Sequence, residues 1–446
     1  MMGMGEIAPR RHTSSARKKV VKNPNKVEVT PVDEPDTVSL EEEGDDERIP
    51  SLDSLDDLMT DLDEKRTSTR VQALHSLIIL ARHCILPDRV WDGRSATWVA
   101  VLSRLAHRGD DEEAILVMRL QAILCATFGE PAEALFQALA EDTSPKENPE
   151  LAAAYANALA MSAFCCCTMP EHTVPPLLER FAELAREWEG PAREASIRGW
   201  ALVATLLPRR QLVLQPRWFH YFTRFLDDDD LEVRQAAGRA LALLWDARTR
   251  HIEESGDVAF DEQGLAAPAG GVGSTSGLRA HLLEHLRPLA RISGHEYTRK
   301  EKSAQRHVFR EIVETVEVRS RPPPPHPIPV HSLIMVSAPG CCPDVELEMG
   351  DQKVTFADWE KLTRYEAFKD IFAGGWKVHA EANEVVRGAL DLGPPDLAVR
   401  PKTPLTALEK RLYMSPSSPA AKERTATRTS DRIRRANQTA FGPEDD

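Results

Sequence analysis

Between residues 51 and 318 the apolar side chains recur with a helical period almost without interruption. The segment DDDDLEVRQAAGRALALLWDA (227–247) shows the unit most plainly. Its four aspartates supply the negative charge that a helix N-terminus favours, and Val233, Ala236, Ala237, Ala240, Leu241 and Leu244 share one face. Similar units stand at Thr69-Arg70-Val71, at 110–124 and at 192–206. With Arg70, Arg119, Arg198 and Arg234 as register marks the spacings are 49, 79 and 36 residues, close to one, two and one periods of a repeat of about 40 residues. A helix pair alone leaves an apolar face wet, so such units must stack into one core with an extended concave surface suited to macromolecular partners. The pattern predicts an all-α, HEAT/armadillo-like superhelix over 51–320. Residues 253–277, rich in glycine, serine and proline, read as a flexible insertion within it.

Four prolines in a row, Pro322 to Pro325, then end the helical region, and 321–343 is expected to be a semi-rigid spacer in preference to a proline-motif ligand. Alternation with period two over 345–349 and 354–356, around Gly350-Asp351, predicts a short β-hairpin. Over 356–395, Phe356, Trp359, Leu362, Phe368 and Phe372 make one helical face, Gly374-Gly375 breaks it, Val378 to Ala389 forms a second helix, and Gly393-Pro394-Pro395 stops that one. Two helices folded back at Gly374-Gly375 are expected to bury Trp359 and Trp376 against each other in a small core. This C-terminal domain is placed at 344–400.

Both ends differ from this body. Residues 1–50 run from a basic cluster (Arg10, Arg11, Arg17, Lys18, Lys19) into acidic stretches with almost nothing to bury, and read as a disordered tail. Residues 401–446 read as a basic tail in which Arg424, Arg428, Arg432 and Arg435 fall within about 80° of one another on a helical wheel. No apolar stripe backs them, so the segment is expected to become helical only against a polyanion. Over 400–438, ten basic side chains, among them Lys410, Arg411, Lys422 and Arg434, face three acidic ones; the resulting +7 leaves −21 for the rest of a chain of net charge −14. Upstream, Arg299, Lys302, Arg306 and Arg310 also lie within about 80°, opposite Val308, Ile312 and Val316. These two basic faces are the candidate RNA-binding residues.

Catalytic motifs are lacking: no phosphate loop after a strand, no GxSxG, no His-Glu-x-x-His. His281 and His285 sit four apart but read as a surface pair, and no metal or cofactor is expected. Cys165-Cys166-Cys167 points its thiols in three directions on a helix, and with seven cysteines and no apolar leader the thiols are expected to be reduced, in cytoplasm or nucleus. Residues 151–170 are uncharged over a membrane-spanning length, yet their alanines, Asn157, Ser162 and flanking Glu150 and Glu171 point to a buried repeat helix.

Residues 357–395 resemble the C-terminal domain of the interferon-related developmental regulator family. The stretch YTRKEKSAQRHVFREIVETVE (297–317) is similar to the basic helix preceding that domain, residues 405–438 to the family's basic tail, and SLDSLDDLMTDLDEKRTSTRVQAL (51–74) to its opening helices. The likeness brackets 51–438 and is carried by the two ends, with only compatible helical pattern over 140–295. It implies a non-enzymatic regulator that holds ribosomes translationally inactive, with the repeat domain at the tRNA sites of the small-subunit RNA and the basic C-terminal segment in the mRNA path. It implies as an alternative a transcriptional co-regulator recruiting co-repressor proteins of the histone deacetylase kind.

Overall fold

A computed structural model describes residues 49–141, 148–213, 215–255, 275–291, 299–318, 345–349, 352–356 and 358–393. The disordered-tail, spacer and basic-tail expectations, together with Pro394, lie outside these residues. What is described is predominantly helical. One layer is formed by α2 (Thr67–His83), α4 (Asp111–Phe128), α6 (Pro149–Cys166), α8 (Gly190–Ala204), α11 (Leu231–Ser255) and α13 (Arg299–Val318), each packed on the next. A second layer covers it: α1 (Leu55–Asp61) on α2, α3 (Ser95–Arg108) on α4, α5 (Glu133–Glu141) on α6, α7 (Pro170–Glu187) on α8, α9 (Arg209–Val213) and α10 (Arg217–Thr223) on α11, and α12 (Thr275–Ala290) on α13.

Carboxylates and an amide start the inner helices. Asp110 Oδ1 accepts from Glu113 N, Asn148 Oδ1 from Glu150 N and Leu151 N, and Asp230 Oδ1 from Glu232 N, satisfying donors that have no partner within the helix. The inner helices α2, α4, α6, α8 and α11 begin at intervals of 44, 38, 41 and 41 residues. Two of the four arginines chosen as register marks hold this position. Arg70 and Arg234 are each the fourth residue of their helix, and each donates from Nη1 to the carbonyls five and six residues upstream, Lys65 and Glu64 in one case, Asp229 and Asp228 in the other. Arg193, also fourth in its helix, bonds the preceding turn through Ala185 O. Arg119 and Arg198 lie further along, each the ninth residue of its helix, and Arg198 pairs with Glu194 and Asp370 instead.

A single apolar cluster runs from Leu55 to Leu390 and includes fully buried Trp98, Trp200, Trp245 and Trp359. Helix α6, charged only at Glu150 in its first turn, lies within it between α4 and α8. Among the described residues no helix is long and apolar enough to cross a membrane. Helix structure extends to Ser255 and resumes at Thr275, so the ends of the expected insertion belong to α11 and α12.

Strands β1 (Val345–Met349) and β2 (Gln352–Phe356) pair antiparallel, Val345 opposite Phe356 and Met349 opposite Gln352. Three helices follow: α14 (Trp359–Phe372), α15 (Trp376–Ala382) and α16 (Glu384–Ala389). The second helix expected from Val378 to Ala389 is therefore broken. Asn383 is extended (ψ 117°), and its Oδ1 accepts from Val385 N and Val386 N, which restarts the helix.

The expected small core around two facing tryptophans is also corrected. Trp359 is buried and donates from Nε1 to Thr315 Oγ1 of α13 at 2.9 Å, whereas Trp376 meets Tyr365 edge-on with centroids 5.3 Å apart. The hairpin lies across the inner layer instead, with α14 against α2, α4, α8 and α11, and α16 against α4. The face expected to receive macromolecules is thus crossed by the chain's own C-terminal segment.

Candidate nucleic-acid interface

The chain holds arginines in two contrasting settings. In the hairpin seat they meet acceptors within the molecule. Arg364 donates to Thr205 Oγ1 (3.1 Å), Thr205 O (2.7 Å) and Ala389 O (3.1 Å); Arg82 Nε donates to Ile371 O (3.0 Å); Arg387 donates to Ala380 O, Leu392 O and Gly393 O. Arg198 pairs with Asp370 and Arg239 with Glu366. Burial, with Arg119 adding repulsion, lowers the pKa of Arg82 from its ordinary value. Gly374 and Gly375 make the turn between α14 and α15, and Gly375 is needed there because a Cβ on it would fall 1.8 Å from Arg82 O. Gly393, at φ 72°, takes a left-handed conformation at the end of the hairpin.

His379 seals this seat. Its Nε2 lies 3.0 Å from Ala81 O, its Nδ1 3.1 Å from Asn383 Nδ2, and Phe372 stacks on its ring at 3.5 Å. Asn383 Nδ2 also donates to Ala126 O. With Nε2 as donor and Nδ1 as acceptor the imidazole is neutral, and burial pushes its pKa down to about 4.

The other setting is the end of the stack. Helix α13 buries Gln305, Phe309, Ile312, Thr315 and Val316. Val308 is only half-buried, and Phe309, which the apolar spacing did not single out, lies in the core. It fits because α11 carries Gly238, where a Cβ would meet Phe309 and Ile312 at 2.9 Å. Between α12 and α13 runs an open groove of about 500 Å³ lined by Arg287, Ala290, Arg291, Arg306, Arg310, Val313 and Glu317. Arg287 donates from Nε (3.1 Å) and Nη2 (2.7 Å) to Glu317 Oε1. Arg291 and Arg310 are exposed and have no ion pair among the described residues.

The structure therefore brings Arg306 and Arg310 together and adds two residues that sequence reasoning passed over, Arg287 and Arg291. The available signal was their four-residue spacing at the C-terminal end of the helix after the insertion, Arg287 within it and Arg291 just beyond. Arg299 and Lys302 lie in the first turn of α13, and their side chains fall outside the described residues. So do Lys410, Arg411, Lys422, Arg424, Arg428, Arg432, Arg434 and Arg435. Trp359, Gly374, Gly375, Trp376 and Gly393 belong to the hairpin seat, away from this groove's lining.

Other reactive groups assemble no catalytic centre among the described residues. The His281–His285 pair gains a third ring, His220, with centroids 5.7 Å from His281. Burial first, then the imidazoles of His285 and His220, lower the pKa of His281. Among the described residues no three ligand side chains are arranged to hold a metal ion. Contact with Cys125 and burial push the Cys166 thiol up, and burial does the same for Cys165, which opposes thiolate chemistry.

The family profile described as "Interferon-related developmental regulator (IFRD)" matches residues 29–317, running through 140–295, where the sequence offered only helical pattern. Interferon-related developmental regulator 2 of Mus musculus is 25% identical over 400 residues, covering 84% of this chain and 81% of that protein. Interferon-related developmental regulator 1 of Homo sapiens is 27% identical over 251 residues, 55% of this chain and 46% of that protein, so the match spans less than half the human relative's length. An engineered protein of known crystal structure aligns with a TM-score of 0.38 at 18% identity, over 59% of this chain and 97% of that one, too slight a likeness to inform the fold.

Proposed function

The chain belongs to the interferon-related developmental regulator family, and from that premise we propose that it is a non-enzymatic regulator that binds ribosomes and holds them translationally inactive. The paired helices are read as HEAT/armadillo-like repeats set at the tRNA sites, with the basic C-terminal segment in the mRNA path. One observation carries the proposal: four arginines line a single groove at the end of a stack that belongs to a chain of net charge −14. A local positive surface on an acidic body directs polyanions to one place, and ribosomal RNA is the polyanion on which a stack of this length has room to make further contacts.

The hairpin supports the same reading indirectly. Because it covers the inner helices, contacts to RNA fall to the groove, the loops and the basic tail. Co-sedimentation of the full chain with ribosomal subunits tests the proposal. Pelleting that is lost when the residues after 395 are deleted supports it. Nuclear retention with co-repressor proteins and no pelleting would replace it with the transcriptional role.

A further inference from the structure

On the reading that the chain binds ribosomal RNA, we propose that the groove between α12 and α13 is a phosphodiester site for one RNA strand, and that Glu317 is its built-in competitor, holding Arg287 until a phosphate takes the carboxylate's place. On each wall the arginines are four residues apart, Arg287 in the last turn of α12 with Arg291 just past its end, and Arg306 and Arg310 both on α13. Four residues of helix rise about 6 Å, comparable with the separation of neighbouring phosphates along one strand. A guanidinium also offers paired donors that match phosphate oxygens.

The chemistry of the lining favours RNA over an acidic peptide. Apart from Glu317, its polar side chains are all guanidinium donors, and its remaining members are Ala290 and Val313. A phosphodiester backbone presents acceptors and is satisfied by such a surface. A peptide would bring main-chain N–H groups for which the groove supplies almost no side-chain acceptor. Among the described lining residues there is neither an aromatic nor an amide side chain to stack on or read a base, so recognition is of the backbone and independent of sequence. A groove of about 500 Å³ admits one strand, whereas a duplex would meet only its rim.

Glu317 is the informative residue. Both bonds from Arg287 converge on the single oxygen Oε1, so the carboxylate stands where one phosphate oxygen would be. Arg287 and Glu317 are 50% and 39% exposed, and a pair so placed exchanges partners at little cost. Removing the carboxylate therefore releases a donor to the ligand, and binding should tighten.

The test uses the full chain with Arg424, Arg428, Arg432 and Arg435 replaced by glutamine, so that the tail does not mask the groove. The probe is a labelled oligouridine of about twelve nucleotides, followed by fluorescence anisotropy across a salt series, with duplex RNA and polyglutamate as competitors. Arg306→Gln with Arg310→Gln should weaken binding roughly tenfold at about 0.15 M salt and make the salt slope shallower by about 1.4, two contacts at 0.7 each. Glu317→Gln should tighten it about fourfold and steepen the slope by about 0.7. An unchanged or weaker Glu317→Gln complex overturns the proposal, as does polyglutamate or duplex competing as well as the single strand. Ribosome pelleting of the same groove variants with the tail arginines intact separates the two ideas. Pelleting without these groove effects removes the groove and leaves the ribosome reading, whereas groove effects without pelleting leave an RNA-backbone site on a protein that does not bind ribosomes. Unchanged melting of each variant shows that the fold is intact.

Discussion

The hairpin seat and the α12–α13 groove are both rich in arginine, yet they differ in where the guanidinium groups find acceptors. Arg364, Arg387 and Arg82 spend theirs on carbonyls of the same chain. In the groove, Arg291 and Arg310 face outward and Arg287 is held by one exposed carboxylate. A charged side chain locked onto main-chain oxygens fixes the fold; one left without them is available to a ligand. Substitutions in the two regions should therefore separate stability from binding.

The largest effect is expected in the hairpin seat. Trp359→Ala removes a fully buried ring and its bond to Thr315, and should cost roughly 3 to 5 kcal/mol, measured by chemical denaturation of the full chain. An unchanged midpoint would mean that the hairpin does not rest on α13. Gly375→Ala should cost about 3 kcal/mol, because the new methyl has to displace Arg82 O and with it the seat on α2.

Acid should act on the same region. His379 titrates at about 4 when folded, below the ordinary 6.5, so the unfolded chain takes up its proton first. Its contribution is fully present above pH 6.5 and declines as pH falls towards 4, by roughly 3 kcal/mol in all. Denaturation midpoints at pH 7 and pH 5 check this, and a His379→Gln variant should lose that part of the pH dependence. RNA affinity of the groove should change far less over the same range, since guanidinium groups stay charged.

Smaller effects complete the contrast. Arg239→Gln breaks a partly exposed pair with Glu366 and should cost no more than about 1 kcal/mol, without altering ribosome pelleting. Arg310→Gln should leave stability within about 0.5 kcal/mol while weakening RNA binding. If Arg239→Gln and Arg310→Gln behaved alike in both assays, the two settings would not be distinct.

The repeat faces were readable because burial on one side imposes a period that survives in the sequence, as Val233, Ala237, Ala240 and Leu244 show. Register was harder. Arg70 and Arg198 look alike as letters, and only the carbonyls upstream of Arg70 mark it as the residue that closes a turn. The docking of the hairpin depends on pairs such as His379 with Ala81 and Asn383 with Ala126, separated by more than 250 residues, and no local pattern announces such partners. Asn383 carried a local sign, since asparagine favours a helix N-cap, but the apolar period of Val378 to Ala389 outweighed it. Arg306 and Arg310 were legible as half of the groove. The other half needed the packing of α12 on α13.

The most direct test of this account is ribosome co-sedimentation of two full-length proteins at equal stability. One carries glutamine at Arg287, Arg291, Arg306 and Arg310, and the other carries it at Arg239. The account predicts that the groove variant pellets much less than the unaltered chain and that the Arg239 variant pellets at its level; a groove variant that pellets like the unaltered chain would contradict it.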